Sequence, residues 1–162
     1  MICATPEEHD EQRHWLEALL LEQIPFATHM QLRLARLDER GIGLDCPLSP
    51  SVNDKGTAFG GALASAMILA GWSLPRLLLR RHGLSADLVI GRCELKFLAP
   101  VHGAYTAECE WPDPDTVSQF LRGLEQHGKG RLDLSVHVLA DGELAATLEA
   151  RYAALRPTPD LD

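Results

Sequence analysis

From Gly56 to Pro75 the chain carries no charged side chain. A helix built from that run is apolar on every face, so it is stable in water only where other parts of the protein wrap it. The segments after it alternate apolar and polar residues as strands do, and a sheet is the wrapping they offer. A polar loop, Asn53-Asp54-Lys55, leads into the run. Thr57 is placed to act as N-cap, which leaves the backbone N–H groups of Ala58, Phe59 and Gly60 without intrahelical acceptors. Those free donors are the first candidate chemistry.

A chain of 162 residues with 46% apolar and 23% charged residues has the make-up of one globular domain, 1–162. Within it, 1–28 reads as an N-terminal helix and its lead-in, and 157–162 as a frayed tail. A net charge of −8 speaks against nucleic acid as a partner, because phosphate binding draws on clustered Lys and Arg. Cys3, Cys46, Cys93 and Cys109 are widely spaced, so neither a disulfide framework nor a zinc site is indicated, and no His and carboxylate set has metal spacing. The acidic N-terminus, with Glu7, Glu8, Asp10 and Glu11, is unlike a secretory signal, and a reducing cytoplasm is the expected location. Gly56–Pro75 is long enough to span a bilayer but is dominated by Ala, Gly, Ser and Thr, so no membrane partner is expected.

Thr5-Pro6-Glu7-Glu8 is a capping box that starts a helix, with Trp15, Leu16, Leu19 and Leu20 on its apolar face and Pro25 ending it. This helix is expected to cover an opening of the sheet. Gln31–Leu34, a turn at Asp38–Gly41 and Ile42–Cys46 form a hairpin. Pro75 and Gly83 bracket a separate short amphipathic piece with Arg76, Arg80 and Arg81. In Asp87–Leu98, Val89, Gly91, Cys93, Leu95 and Phe97 share one face and Arg92, Glu94 and Lys96 the other. Tyr105–Trp111 is a further strand, Val117, Phe120, Leu121 and Leu124 have helical spacing, and two strands joined at Asp141-Gly142 complete the chain. The tally, largely antiparallel strands around one buried helix, is α+β.

This order of elements resembles the hot-dog fold, a curved antiparallel sheet wrapped around one central helix. Asn53-x-x-Gly56-x-x-Phe59-Gly60-Gly61 is similar to the Asn-x-x-Gly-x-x-His-Gly-Gly loop of hot-dog thioesterases, with Phe59 in place of His. Together with Ala70-Gly71-Trp72, Leu98-Ala99-Pro100-Val101 and Gly128-Lys129-Gly130-Arg131, it resembles the YiiD C-terminal-domain family over residues 15–155. The resemblance implies a homodimer or dimer of dimers, and a substrate that is an acyl thioester of acyl carrier protein or coenzyme A. The phosphopantetheine arm belongs to that substrate, and no separate cofactor is implied. The family is described as thioesterases and is associated with decarboxylation of malonyl-ACP to acetyl-ACP, the primer for fatty-acid synthesis.

Hot-dog thioesterases place a carboxylate about two turns into the helix, and the matching stretch Ala64–Leu69 holds none. Hydrolysis needs a general base at that point, with Asp54 the only nearby substitute. Decarboxylation needs no base, only fixed donors around an oxygen that gathers charge, and free N–H groups at a helix start supply them. The expected catalytic set is therefore Asn53, Thr57, Gly60 and Gly61, with Asp54 for the hydrolytic alternative. Phe59 is expected as pocket wall, Lys55 facing solvent or a phosphate, and Arg76, Arg80 and Arg131 as contacts to an acidic carrier or its phosphate. Each has a plain structural reading too: Thr57 as cap, Asn53 as turn former, the glycines as points of close approach, the arginines as a solvated helix end. A non-catalytic acyl-thioester binding protein is the third reading, although the acidic N-terminal helix does not look like an effector module.

Overall fold

The computed structural model describes residues 5–157. The expected frayed tail, apart from Pro157, lies outside the described residues, as does Cys3. The elements are α1 (Pro6–Gln23), α2 (Pro25–His29), β1 (Arg33–Leu37), β2 (Gly41–Cys46), α3 (Gly60–Arg81), β3 (Asp87–Phe97), β4 (Tyr105–Glu110), α4 (Pro114–His127), β5 (Lys129–Ala140) and β6 (Glu143–Leu155). The six strands form one antiparallel sheet in the order β1-β2-β4-β5-β6-β3. Five of them, β2 to β6, curl around α3. In β5, Leu132, Leu134, Val136 and Val138 point inward and alternate with exposed Arg131, Asp133, Ser135 and His137, which is the pattern a half-buried strand needs. Ala62, Ala66, Met67, Ala70 and Leu74 of α3 are no more than 1% exposed, so the uncharged run is wrapped by protein. That helix is long and apolar enough to cross a bilayer, yet 67% of its most apolar window is buried against the sheet.

The N-terminal capping box forms as expected: Thr5 Oγ1 accepts from Glu8 N–H at 3.2 Å and Glu8 Oε2 accepts from Thr5 N–H at 2.7 Å. Leu16 and Leu20 are fully buried, so α1 closes the core beside β1. Pro25 ends α1 but also starts the short α2, since a proline suits the first position of a helix. Asp38 organises the β1–β2 turn, its Oδ1 accepting from Arg36 Nη1 and from the N–H groups of Arg40 and Gly41. In α4, Asp113 caps the start and Gly128 ends the helix at φ 72°, a left-handed conformation that suits glycine.

Two expectations are corrected. Pro75 does not separate two helices, and α3 runs through it to Arg81. Stopping there would expose Leu77, Leu78 and Leu79, all buried. At about 1.5–3 kcal/mol per buried leucine, their burial outweighs a proline cost of about 3 kcal/mol. In β3, the pairing with β6 slips between Ile90 and Arg92, so Gly91 sits at a bulge. Leu88 and Ile90 pair with buried Ala154 and Tyr152, and after the bulge Cys93, Leu95 and Phe97 pair with buried Ala150, Leu148 and Ala146. Val89 therefore leaves the shared face and is 44% exposed.

Gly71 marks the closest approach of α3 to the sheet. A methyl group there would overlap the Tyr152 hydroxyl and lie 2.9 Å from its ring carbon Cζ, and that hydroxyl donates to the Ile68 carbonyl at 2.8 Å. Gly71→Ala should destabilise the fold by about 1–3 kcal/mol through overpacking. Tyr152→Phe alone should cost about 0.5–1.5 kcal/mol for the lost hydrogen bond. Because the hydroxyl is the main obstacle, the double variant should be more stable than the two losses summed, measured by chemical denaturation; strict additivity would contradict this packing.

Candidate active site

The loop before α3 is held by hydrogen bonds centred on Asn53. Asn53 Oδ1 accepts from the N–H groups of Lys55 at 2.9 Å and Thr57 at 3.1 Å, and Asn53 Nδ2 donates to Thr57 Oγ1 at 2.9 Å. The backbone closes the same turn, with Asn53 N–H donating to Thr57 O and Gly56 N–H to Asn53 O. Asn53 is thus the turn former, and its second Nδ2 hydrogen and the Thr57 hydroxyl hydrogen remain to be donated elsewhere. Below the loop, Ser51 Oγ and Tyr105 Oη lie 3.1 Å apart, both residues buried.

Thr57 is not the helix cap. The N-cap is Phe59, which makes no side-chain capping bond, and the hydroxyl of Thr57 is engaged with Asn53 instead. Nor are three donors free. Ala58 N–H donates to Val101 O, where the loop runs beside the 98–104 segment, and Phe59 N–H donates to Ser51 O across the turn, each at 2.8 Å. The first two residues of α3, Gly60 and Gly61, keep N–H groups with no acceptor among the described residues.

Gly60 opens onto a cleft of about 310 Å³ lined by Ala58, Gly60, Leu63 and the run Phe97–Val101. The Phe97 ring stands beside the helix start: a Cβ on Gly60 would lie 3.4 Å from it. The Phe59 ring covers Gly61, where a Cβ would lie 2.6 Å from the ring carbon Cζ. A side chain at Gly61 would have to displace the Phe59 ring, whereas Gly60 has room for a Cβ in ordinary contact with Phe97; of the two residues with an unbonded N–H, Gly60 is the one that lines the cleft. No residue lining the cleft is titratable. The unbonded Gly60 N–H lies at the positive end of the helix, where a donor in apolar surroundings interacts strongly with an oxygen that reaches it.

The remaining candidates lie elsewhere. Asp54 pairs with Lys55 at 3.1 Å, with both side chains at least 75% exposed, so the carboxylate is a solvated group rather than a base held over the cleft. Arg76 and Arg80 are sixteen and twenty residues along α3 from Gly60, about 24–30 Å away at the helical rise. Both guanidinium groups lie over the Trp15 ring, at 5.5 and 4.4 Å, and Arg80 donates to Glu11 Oε1 at 2.8 Å. Arg81 stacks on Trp111 at 4.5 Å and donates to Gln12 Oε1 at 2.9 Å. These arginines fasten α1 to the end of α3. Arg131 points outward near the start of β5, opposite Ala153. Burial pushes the Cys46 thiol up to about 11 and Cys109 up to about 12, so both stay protonated and neither serves as nucleophile. No group of His, Cys, Asp and Glu fit to hold a metal ion occurs among the described residues.

Phe97 and the 98–101 segment line the candidate cleft, although the alternation placed Phe97 only on a strand face and Leu98–Val101 entered only as a motif of the family resemblance. The clue available in the sequence was the apolar run Phe97-Leu98-Ala99-Pro100-Val101, which continues past the strand where a turn would be polar. Ser51 and Tyr105 left no such clue, since their contact joins residues 54 positions apart.

A structure of a protein of unknown function from Chlorobaculum tepidum TLS superposes with a TM-score of 0.89 at 27% identity, covering 92% of this chain and 97% of that one. A structure described as the "putative thioesterase from Shewanella oneidensis" gives 0.82 at 27% identity, covering 90% and 99%. A Pseudomonas aeruginosa protein described as "Probable Thioesterase" shares the fold at 23% identity and a TM-score of 0.73, covering 89% and 95%. A search of the curated proteins returned no match. The architecture is the hot-dog fold. The family model "Putative thioesterase (yiiD_Cterm)" matches residues 13–156, and the chain belongs to that thioesterase-like family.

Proposed function

We propose that the protein binds an acyl thioester with its carbonyl oxygen on the Gly60 N–H and removes CO2 from a malonyl thioester, with acyl carrier protein or coenzyme A as carrier. The observation that carries this reading is that Gly60, at the helix start and with no acceptor for its N–H among the described residues, lines a cleft whose walls hold no acid or base. In the reaction the bond between the carboxylate carbon and the methylene breaks and CO2 departs. The electron pair passes to the methylene carbon and the thioester oxygen as an enolate, and a proton from water then gives the acetyl thioester. The thioester oxygen gains negative charge that the ground-state carbonyl lacks, so a donor to it stabilises the transition state more than the ground state. The Asn53–Thr57 pair sets the turn that positions the helix start, and its spare hydrogens are neutral donors that do not tie down the malonyl carboxylate as a cation would. Hydrolysis is the second reading, favoured by the family's description, and it requires a base that this chain's cleft does not supply.

Labelled malonyl-ACP separates the two. Decarboxylation gives CO2 and acetyl-ACP, with a single deuterium in the acetyl group when run in D2O; hydrolysis gives free malonate and the carrier thiol. Formation of malonate alone would reject the first reading.

Asn53→Ala removes three hydrogen bonds from the loop and should lower kcat/KM by about 100-fold through misplacement of the donor. Thr57→Ser, which keeps the hydroxyl, should retain most activity, whereas Thr57→Val should not. Equal activity in these two variants would remove the hydroxyl from the mechanism.

A second copy of the chain belongs to this reading. β3 is the sheet's last strand, eleven residues long, and its outer edge has no partner strand among the described residues. Phe97 and Leu98 stand 54% and 55% exposed at its end, beside the cleft. An edge of that length is an aggregation hazard unless paired, and antiparallel pairing with a second β3 satisfies its open backbone groups. Sedimentation should give about twice 17.8 kDa or a multiple of that dimer, and a monomer would contradict the pairing.

A further inference from the structure

We infer that the Phe97 ring is the specificity-determining group of this cleft, restricting it to short acyl chains; the inference rests on the acyl-thioester reading above. Phe97 pairs with buried Ala146, so its side chain leaves the sheet on the face that carries α3. The backbone just beyond it is clamped, because the Leu98 and Ala99 N–H groups both donate to Ala145 O, at 2.8 and 3.2 Å. A ring on a fixed stem is thereby held 3.4 Å from the Cβ position of Gly60, which lines the cleft and has an unbonded N–H. One turn further along α3, Leu63 is 3% exposed and forms the floor.

An acyl group with its oxygen on Gly60 must send its chain between these two side chains. A malonyl or acetyl group ends before the restriction is felt, whereas a longer chain has to displace the ring or the floor. Leu63 is packed into the core and cannot yield cheaply, since emptying or shifting a buried leucine carries a cavity cost. The ring is more than half exposed, so its removal opens the cleft with little loss of core packing.

The test is binding, so that it does not depend on which reaction follows. Pantetheine amide analogues carrying acetyl, butanoyl, hexanoyl and octanoyl groups are titrated calorimetrically into the native protein and into Phe97→Ala, with Phe97→Leu as the milder variant. The native protein should show no gain beyond butanoyl. Phe97→Ala should gain up to about fourfold in affinity for each added methylene, the value of transferring one such group out of water. Phe97→Leu should show the same order with a shallower slope. Equal profiles in all three proteins, or octanoyl binding best to the native protein, would overturn the role given to Phe97 while leaving the acyl-thioester reading intact. Failure of every analogue to bind any of the three would overturn both. Sedimentation of each variant is run alongside: an unchanged mass keeps the effect in the cleft, and a changed mass assigns the ring to the subunit contact and overturns the inference.

Discussion

Everything in this molecule follows from the need to keep an uncharged helix out of water. α3 carries no ionisable side chain between Gly60 and Pro75 and is sheathed by five strands, which dictates long strands with one apolar face and small residues where the sheet comes nearest. The same demand explains why the helix continues through Pro75. It also explains the arginines at its far end, which tie α1 down through Trp15 where the sheet no longer covers the helix.

Burial of the helix has a consequence at its start. A buried helix end must account for its leading N–H groups, and this loop satisfies two neighbouring ones with the carbonyls of Val101 and Ser51. What remains is narrow: Gly61 lies under the Phe59 ring, and Gly60 faces a cleft without titratable walls. The cleft thus has an unbonded helix-start amide among its lining residues and no acid and base pair.

Much of the architecture was legible in sequence because it rests on local patterns. The capping box at Thr5, the alternation of β5 and the unbroken apolar run of α3 each have one physical solution, and each is observed. The errors arose where distant segments decide. The donors of Ala58 and Phe59 looked free because their acceptors come from Val101, across the fold, and from Ser51, across a turn. Thr57 looked like a cap because capping and pairing with Asn53 use the same hydroxyl, and the sequence does not say which acceptor geometry wins. The β3 face was misread because a bulge at Gly91 reverses the alternation halfway along. The surroundings of Arg76, Arg80 and Arg131 come from distant segments too. Two of them are committed to Trp15, and the third stands on the outer face of the sheet.

The account stands or falls on whether the Gly60 amide receives the thioester oxygen. Amide NMR during titration with an acetyl-pantetheine analogue that presents an oxyanion reads this directly. The Gly60 resonance should move strongly downfield on binding, while those of Ala58 and Phe59, already bonded to Val101 and Ser51, should stay close to their free positions. An unmoved Gly60 resonance in the saturated complex would contradict the account.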